Sequence, residues 1–450
     1  LLFFFFTANP KQFYFLNDDF IHIPLAANFN LKNSSLYRPL SDLSLWLDYQ
    51  LWGKEATGYH ITNILIHLSN SVISFFLARK LFIHFNEKYL IEAKSFFVSI
   101  LFLLYAFHSE TIFWILGRGA SLCTFFFIAS LIFYLDGRNT SFVLSILFFI
   151  IGLFAYETIW VFPITCSLLY MFQRKDQQWV RLATVWGVFI FYLVYRFLYM
   201  RAVPDEYEFG TVYNLEVFNL FYKFNTLIAR SFLPPLENSI VFLGLYILLV
   251  VSLIYLVITL KNKFLTFLIF CLIFSVLPTT TLGIDTHDSE SERYIYLTTV
   301  FTIIIIIHLI SKIPSPLFII AFLFILILHS GILYSTSNHY KTASGITKNS
   351  LNCLSPLVTD SIAVMNLPSQ YKGALIFRTG FPEAVSWILD KKIQVNILSK
   401  KEINYPVETL SCRKATISSF SKENNIPFVN TLQNEVILNW QETTLWVLHQ

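Results

Sequence analysis

Two adjacent carboxylates, Asp18 and Asp19, stand in "FLNDDFIHI", a few residues after the phenylalanine-rich opening "LLFFFF". Three further stretches place acids beside basic and aromatic residues: "FHSETIFW" with His108 and Glu110, "AYETIW" with Glu157, and "THDSESERYIYL" with Glu292 and Arg293. Neighbouring carboxylates share electrostatic strain, so one is raised into a range useful to a base while the other stays ionised. A guanidinium offers forked donors to phosphate oxygens. Together they suit transfer from a phosphate-linked donor to a hydroxyl, in which a base takes the acceptor proton and cations meet the charge on the leaving phosphate. Arg293 has a second reading, an ion pair with Glu290 or Glu292, and the two stay open. His108 with Glu110 could serve a phosphate or a metal, but two ligand types this close do not form a metal signature.

The elements that must carry these groups are membrane spans. The 450 residues are 55% hydrophobic and 18% aromatic but only 13% charged, with a mean hydropathy of +0.60, where a soluble domain carries about 25% charged residues. Apolar runs near the ~20 residues of a crossing recur at 61–82, 93–107, 120–135, 142–155, 158–172, 182–200, 240–260, 264–278, 294–310 and 316–334. With the opening run they predict about eleven spans in an all-α polytopic membrane protein. The short runs 142–155 and 158–172, parted only by Tyr156 and Glu157, could instead form a re-entrant hairpin. The chain opens on Leu with a remnant of a first span, so it is expected to lack its true start.

Basic residues cluster in alternate short loops: Arg79, Lys80, Lys88 and Lys94; Arg138; Arg174, Lys175 and Arg181; Lys261 and Lys263; Lys312. The positive-inside rule makes that side cytoplasmic. The four acidic stretches then fall on the outer face, and their convergence is what raises each above an ordinary polar loop. Arg118 and Arg293 join them at the membrane boundary, where ionisable groups face a cavity or one another.

The first outer segment contains "YRPLSDLSLWLDYQLWG", Tyr37 to Gly53, whose leucines recur every three or four residues. This predicts an amphipathic interfacial helix. In "GYHITNILIH", His60, Asn63 and His67 form one polar stripe of a span. Interhelical hydrogen bonding suits Asn63 and His67, while His60, nearest the outer end, is a site candidate.

From Tyr37 through "FLARKLF", then "LLYAFHSETIFWILGRGASLCTFFFIASLIFYL", "AYETIWVFP" and "SERYIYL", the chain resembles the membrane half of the transmembrane and tetratricopeptide-repeat O-mannosyltransferases and their bacterial relatives, which are GT-C glycosyltransferases. The likeness runs from about Asp18 to Tyr296 in order and spacing. It implies that Asp18 and Asp19 are the catalytic pair of the first outer loop. The candidates for binding donor phosphate or substrate are Arg293, Glu292, His108, Glu110, Arg118, His60, Tyr37, Arg38 and Glu157. The expected donor is a polyprenyl-phosphate-linked sugar. The acceptor is unspecified, a protein, lipid or glycan, and the expected location is a bacterial inner membrane with the site on the periplasmic face. No cofactor is firmly implied, though a divalent cation is compatible with the acids. The chain departs from the pattern in lacking the proline of "HPxHTE", in reading Tyr156-Glu157 for "KE", and in showing no 34-residue period beyond Tyr334.

From Ser335 to Gln450 the polar share rises. "GALIFRT", "IQVNIL", "PFVNT", "EVILNW" and "TTLWVL" read as strands and "FPEAVSWILDKK" as a helix, predicting a small soluble outer-face α/β domain with an accessory or acceptor-binding role. There Cys353 and Cys412 could form a disulfide. No P-loop, dinucleotide fingerprint, zinc spacing or nucleic-acid signature is present. Three rival readings remain: a transporter or flippase of lipid-linked sugars, which should carry charges deep in its spans and an inverted repeat; a lipid-linked-glycan polymerase or ligase; and a noncatalytic membrane scaffold.

Overall fold

The computed structural model describes residues 2–29, 37–173, 178–202, 216–354, 361–390, 392–403, 411–416, 436–441 and 444–449. Each apolar run of the sequence becomes a helix, because only internally bonded backbone is stable in lipid. In chain order these are α1 (Leu2–Thr7), α2 (Asp19–Ala27), α3 (Pro39–Trp52), α4 (Ala56–His84), α5 (Ile91–Leu103), α6 (Ser109–Phe113), α7 (Arg118–Leu135), α8 (Asn139–Leu153) and α9 (Val161–Gln173). They continue with α10 (Gln178–Ala202), α11 (Val217–Arg230), α12 (Ser239–Leu260), α13 (Lys263–Ser275), α14 (Thr298–Ile310) and α15 (Ser315–Leu354). Several starts are fixed by side chains. Asn238 and Asn262 each accept the backbone N–H groups of the second and third residues of α12 and α13, groups that have no partner inside the helix.

The chain is an integral multi-pass membrane protein, but its helices are less uniform than eleven crossings. Among the described residues five are long and apolar enough to span, and a sixth is gained if α5 and the segment Ala106–Phe113, bent by 56°, count as one. Four further apolar helices, Asn139–Leu153, Glu157–Phe172, Lys263–Thr279 and Thr298–Ile310, are shorter. The shortening has a local cause. At 104–117, where only the short α6 is α-helical, and at 154–160 and 276–297 the chain leaves the α-helix for short 3-10 turns and irregular backbone, which membrane depth tolerates only where protein covers it. These are the stretches that carry the acidic motifs.

The basic loops meet at one end of the bundle. Lys80 and Arg138 both pair with Asp136, Arg79 pairs with Glu92, and Lys94 and Lys312 share Glu87. Arg174 and Lys175 lie outside the described residues. Between the two ends runs an apolar core that includes Leu77, Phe102, Phe127, Phe162, Leu268 and Phe301.

α15 is a single helix of 40 residues that passes through position 334/335 and ends among strands. One sheet has the order β4-β1-β7-β8-β6, built from β1 (Ser361–Met365), β4 (Gln394–Ile397), β6 (Ser411–Thr416), β7 (Val436–Gln441) and β8 (Thr444–His449). Its pairs are parallel except β7 with β8. A second sheet, β3-β2-β5, joins β2 (Leu367–Tyr371), β3 (Ala374–Leu375) and β5 (Lys400–Ile403). The helix α16 (Phe381–Leu389) matches the one read from "FPEAVSWILDKK". The strand expected at "PFVNT" lies outside the described residues. Cys353 is disulfide-bonded, while Cys123, Cys166 and Cys271 are free and buried; the side chain of Cys412 lies outside the described residues.

A second apolar core ties this region to the start of the chain. Phe13, Phe15, Leu16 and Phe20 are buried together with Trp114, Tyr340, Phe377, Phe381 and Trp440. Phe15 meets Trp387 edge-on at 5.1 Å and Phe20 stacks on Phe377 at 6.2 Å. Aromatic pairs of this kind add about 0.5–1.5 kcal/mol each beyond burial.

Candidate active site

The two acids occupy unlike surroundings. Asn17 takes a left-handed turn (φ 48°), after which Asp18 stands at the N-cap of α2 and Asp19 is its first residue. Asp19 is fully buried. Its Oδ2 accepts the Leu16 N–H at 2.9 Å and its Oδ1 the Leu116 N–H at 3.3 Å. Burial pushes its carboxyl well above the usual range, against the pull of those N–H groups and of Arg118. Asp18 is only partly buried, and its Oδ1 accepts a hydrogen bond from the Thr379 hydroxyl. One turn further along α2, His22 feels both Asp18 and Arg38, but burial dominates and lowers its pKa.

Arg293 is reached from the irregular segment before α14. Its Nη1 pairs with Glu110 Oε1, its backbone N–H donates to Glu110 Oε2 at 2.8 Å, and its Nη2 donates to the Tyr294 hydroxyl at 2.8 Å. The guanidinium lies over the rings of Trp114 and Tyr294 at 5.0 and 4.5 Å. Neither partner weighed from sequence is used. Glu290 is held by Arg378, and Glu292 accepts from Arg230 at 2.8 Å and from the Ser109 hydroxyl at 2.5 Å. Burial pushes Glu292 up to about 7 even beside Arg230.

Arg38 donates from Nε and Nη2 to Glu157 Oε2 at 3.0 and 2.7 Å, and Arg196 donates to Oε1 at 2.7 Å. Arg38 lies 4.0 Å over the Tyr156 ring. Tyr37 exchanges a 2.8 Å hydrogen bond with Tyr195 and packs on Tyr199. All four acidic stretches therefore reach the same end of the bundle.

Other candidates are turned inward. Arg118 is fully buried and bound by Asp48, Asn63 and the Tyr59 carbonyl. His108 is fully buried, and its ring nitrogens face the Phe102 carbonyl at 3.0 Å and Thr299 Oγ1 at 2.6 Å; neither is offered to a phosphate or a metal. His60 is buried against Phe13, with Nε2 3.4 Å from the Tyr14 carbonyl and Nδ1 lacking a hydrogen-bond partner. Asn63 and His67 bridge helices, His67 to Tyr296 at 2.7 Å. Among the described residues no group of three or more acids, histidines or cysteines could hold a metal ion.

Arg196, His22 and Thr379 were missed from sequence. A lone arginine in "FYLVYRFLYM" is itself a signal, since an intramembrane charge needs a partner, and the four-residue step from Asp18 to His22 puts both on one helix face. Thr379 carries no such signal.

No family model matches the chain. In sequence it is similar to a protein O-mannosyl-transferase of Caenorhabditis elegans, 34% identical over 116 residues, 25% of this chain and 16% of that protein. It is also similar to protein O-mannosyl-transferase TMTC4 of Mus musculus, 31% identical over 26% of this chain and 16% of the relative, and to TMTC3 of Homo sapiens, 29% over 29% and 13%. The matches span only about a sixth or less of those relatives' length. In fold the chain is similar to ArnT from Cupriavidus metallidurans bound to undecaprenyl phosphate, with a TM-score of 0.51 and 10% identity over 98% of this chain and 91% of that one. The likeness to O-mannosyltransferases read from the motifs thus recurs in the sequence comparison, and the overall fold is shared with ArnT.

Proposed function

We propose that the protein is an inverting membrane glycosyltransferase that moves a sugar from a polyprenyl-phosphate carrier to an acceptor hydroxyl at the outer face of a bacterial inner membrane. Residues 1–334 are the membrane catalytic domain in this reading and 335–450 an outer-face domain. The observation that carries it is that a partly buried carboxylate, Asp18, lies at the same end of the bundle as two guanidinium groups, Arg38 and Arg293, each held by a carboxylate of its own, Glu157 and Glu110. The likeness to O-mannosyl-transferases and to a protein bound to undecaprenyl phosphate supports the donor class.

In the reaction Asp18 takes the proton of the acceptor hydroxyl while the acceptor oxygen attacks the anomeric carbon from the side opposite the phosphate. The carbon–oxygen bond to the phosphate breaks, and its electron pair leaves with the phosphate. Arg293 and Arg38 meet the charge that develops there, each held in orientation by a carboxylate, Glu110 and Glu157. Asp19, buried and bonded to two backbone N–H groups, fixes the start of α2, where Asp18 is the N-cap residue.

The test is transfer of labelled sugar from a polyprenyl-phosphate donor in membranes. Asp18→Asn should lower turnover by about 10²–10⁴-fold, the usual worth of a general base. Full transfer by Asp18→Asn at normal expression would falsify the base assignment.

A further inference from the structure

The turn that presents Asp18 is built largely by the C-terminal α/β region. The Asn17 N–H donates to the Ile376 carbonyl at 2.8 Å, and Asn17 Oδ1 accepts from the Thr379 N–H at 2.8 Å and from its hydroxyl at 3.1 Å. The same hydroxyl reaches Asp18 Oδ1. Gly380 (φ 75°) approaches so closely that a Cβ there would lie 2.5 Å from the Asn17 carbonyl oxygen. The segment 376–380 is itself held from the other side, where Arg378 pairs with Glu290 and its carbonyl accepts from Lys400. A docking contact would need only the aromatic packing beneath. A hydroxyl aimed at the one accessible carboxylate of the acid pair does more.

We infer that Thr379 is a positioning residue for Asp18: its hydroxyl occupies one carboxylate oxygen, fixes the rotamer, and leaves the other oxygen to receive the acceptor proton. This rests on the proposed function. It makes the C-terminal region part of the site, and the hydroxyl's proton stays on Thr379 throughout.

The test compares Thr379→Val, which removes the hydroxyl at near-constant shape, with Thr379→Ser, which keeps it. Asp390→Asn serves as a control, because it weakens the Lys54–Asp390 pair across the same interface without touching Asp18. Thr379→Val should lower kcat by roughly ten- to a hundredfold, the scale of a misplaced reacting group, with KM for the lipid donor little changed and the detergent melting curve intact. Thr379→Ser should restore most of kcat, and Asp390→Asn should keep it. Wild-type kcat in Thr379→Val, or equal loss in the Val and Ser variants, overturns the inference while an inactive Asp18→Asn leaves the base reading standing. Full activity of Asp18→Asn removes both.

Discussion

Arg118 and Asp48 form an ion pair at 2.5 Å with side chains only 1% and 5% exposed. The pair joins α3 to the start of α7, and Asn63 and the Tyr59 carbonyl take up further guanidinium donors. Removing one member leaves the other charge buried and uncompensated, which costs about 3–5 kcal/mol. Asp48→Ala should therefore lower the detergent melting temperature strongly and reduce accumulation in membranes. An unchanged melt would show that the pair contributes no net stability.

Arg293 should be intolerant of lysine. Its fork is shared between Glu110 and Tyr294, and an ammonium cannot occupy both while reaching a phosphate. We expect Arg293→Lys to lose about 10-fold or more in kcat/KM, the value of one forked contact near 1.4 kcal/mol. Unchanged apparent affinity for the lipid donor in Arg293→Ala would count against a phosphate contact.

Asp288 predicts a pH signature. Burial raises its carboxyl from 3.8 to about 6, with Asp285 and Glu290 pushing the same way and Arg230 opposing. Between those values the folded protein holds a proton that the unfolded chain has released. Stability from this group is thus complete below the lower value and lost as pH rises through the upper one. Asp288→Asn, which keeps the oxygen that accepts the Glu290 N–H, should flatten the fall in melting temperature from about pH 4 to 7. Glu292, pushed up to about 7, will leave some slope. A variant with the full wild-type slope would rule Asp288 out as its source.

The orientation is open to direct labelling. In the proposed topology His287→Cys, in the exposed acidic segment, reacts with an impermeant thiol reagent in intact cells. Lys261→Cys, at the basic end, does not. The reverse pattern would place the acids on the cytoplasmic side and end the lipid-carrier mechanism.

The helices were legible because lipid imposes one demand along the whole chain, and every apolar run obeyed it. Their lengths were not. Where the chain breaks at Tyr105 or Tyr156, the irregular backbone is stable only because distant segments cover it. Pairings were hidden for the same reason: Glu110 and Arg293 lie 183 residues apart, and each had nearer partners of opposite charge. Asp48 stands off the leucine repeat of "YRPLSDLSLWLDYQLWG", and no local pattern says that Arg118 lies beneath it. The strands β1, β2, β5 and β6 escaped notice because they are short and mixed in character, their side chains matched to neighbours supplied by tertiary structure. Thr379 meets Asp18 across 361 residues, far beyond any periodicity.

The forty residues of Ser315–Leu354 extend about 60 Å at ~1.5 Å per residue, roughly twice the ~30 Å of a hydrocarbon core. The apolar first half of that rod is long enough to cross a bilayer and its more polar second half extends past that length, and the Trp440 indole is bonded to Ser350 near its tip. A helix answers a thinner or thicker bilayer by changing its tilt. Because the rod is unbroken, tilt at its foot becomes sideways travel at its top, where the segment reaching Asp18 is carried.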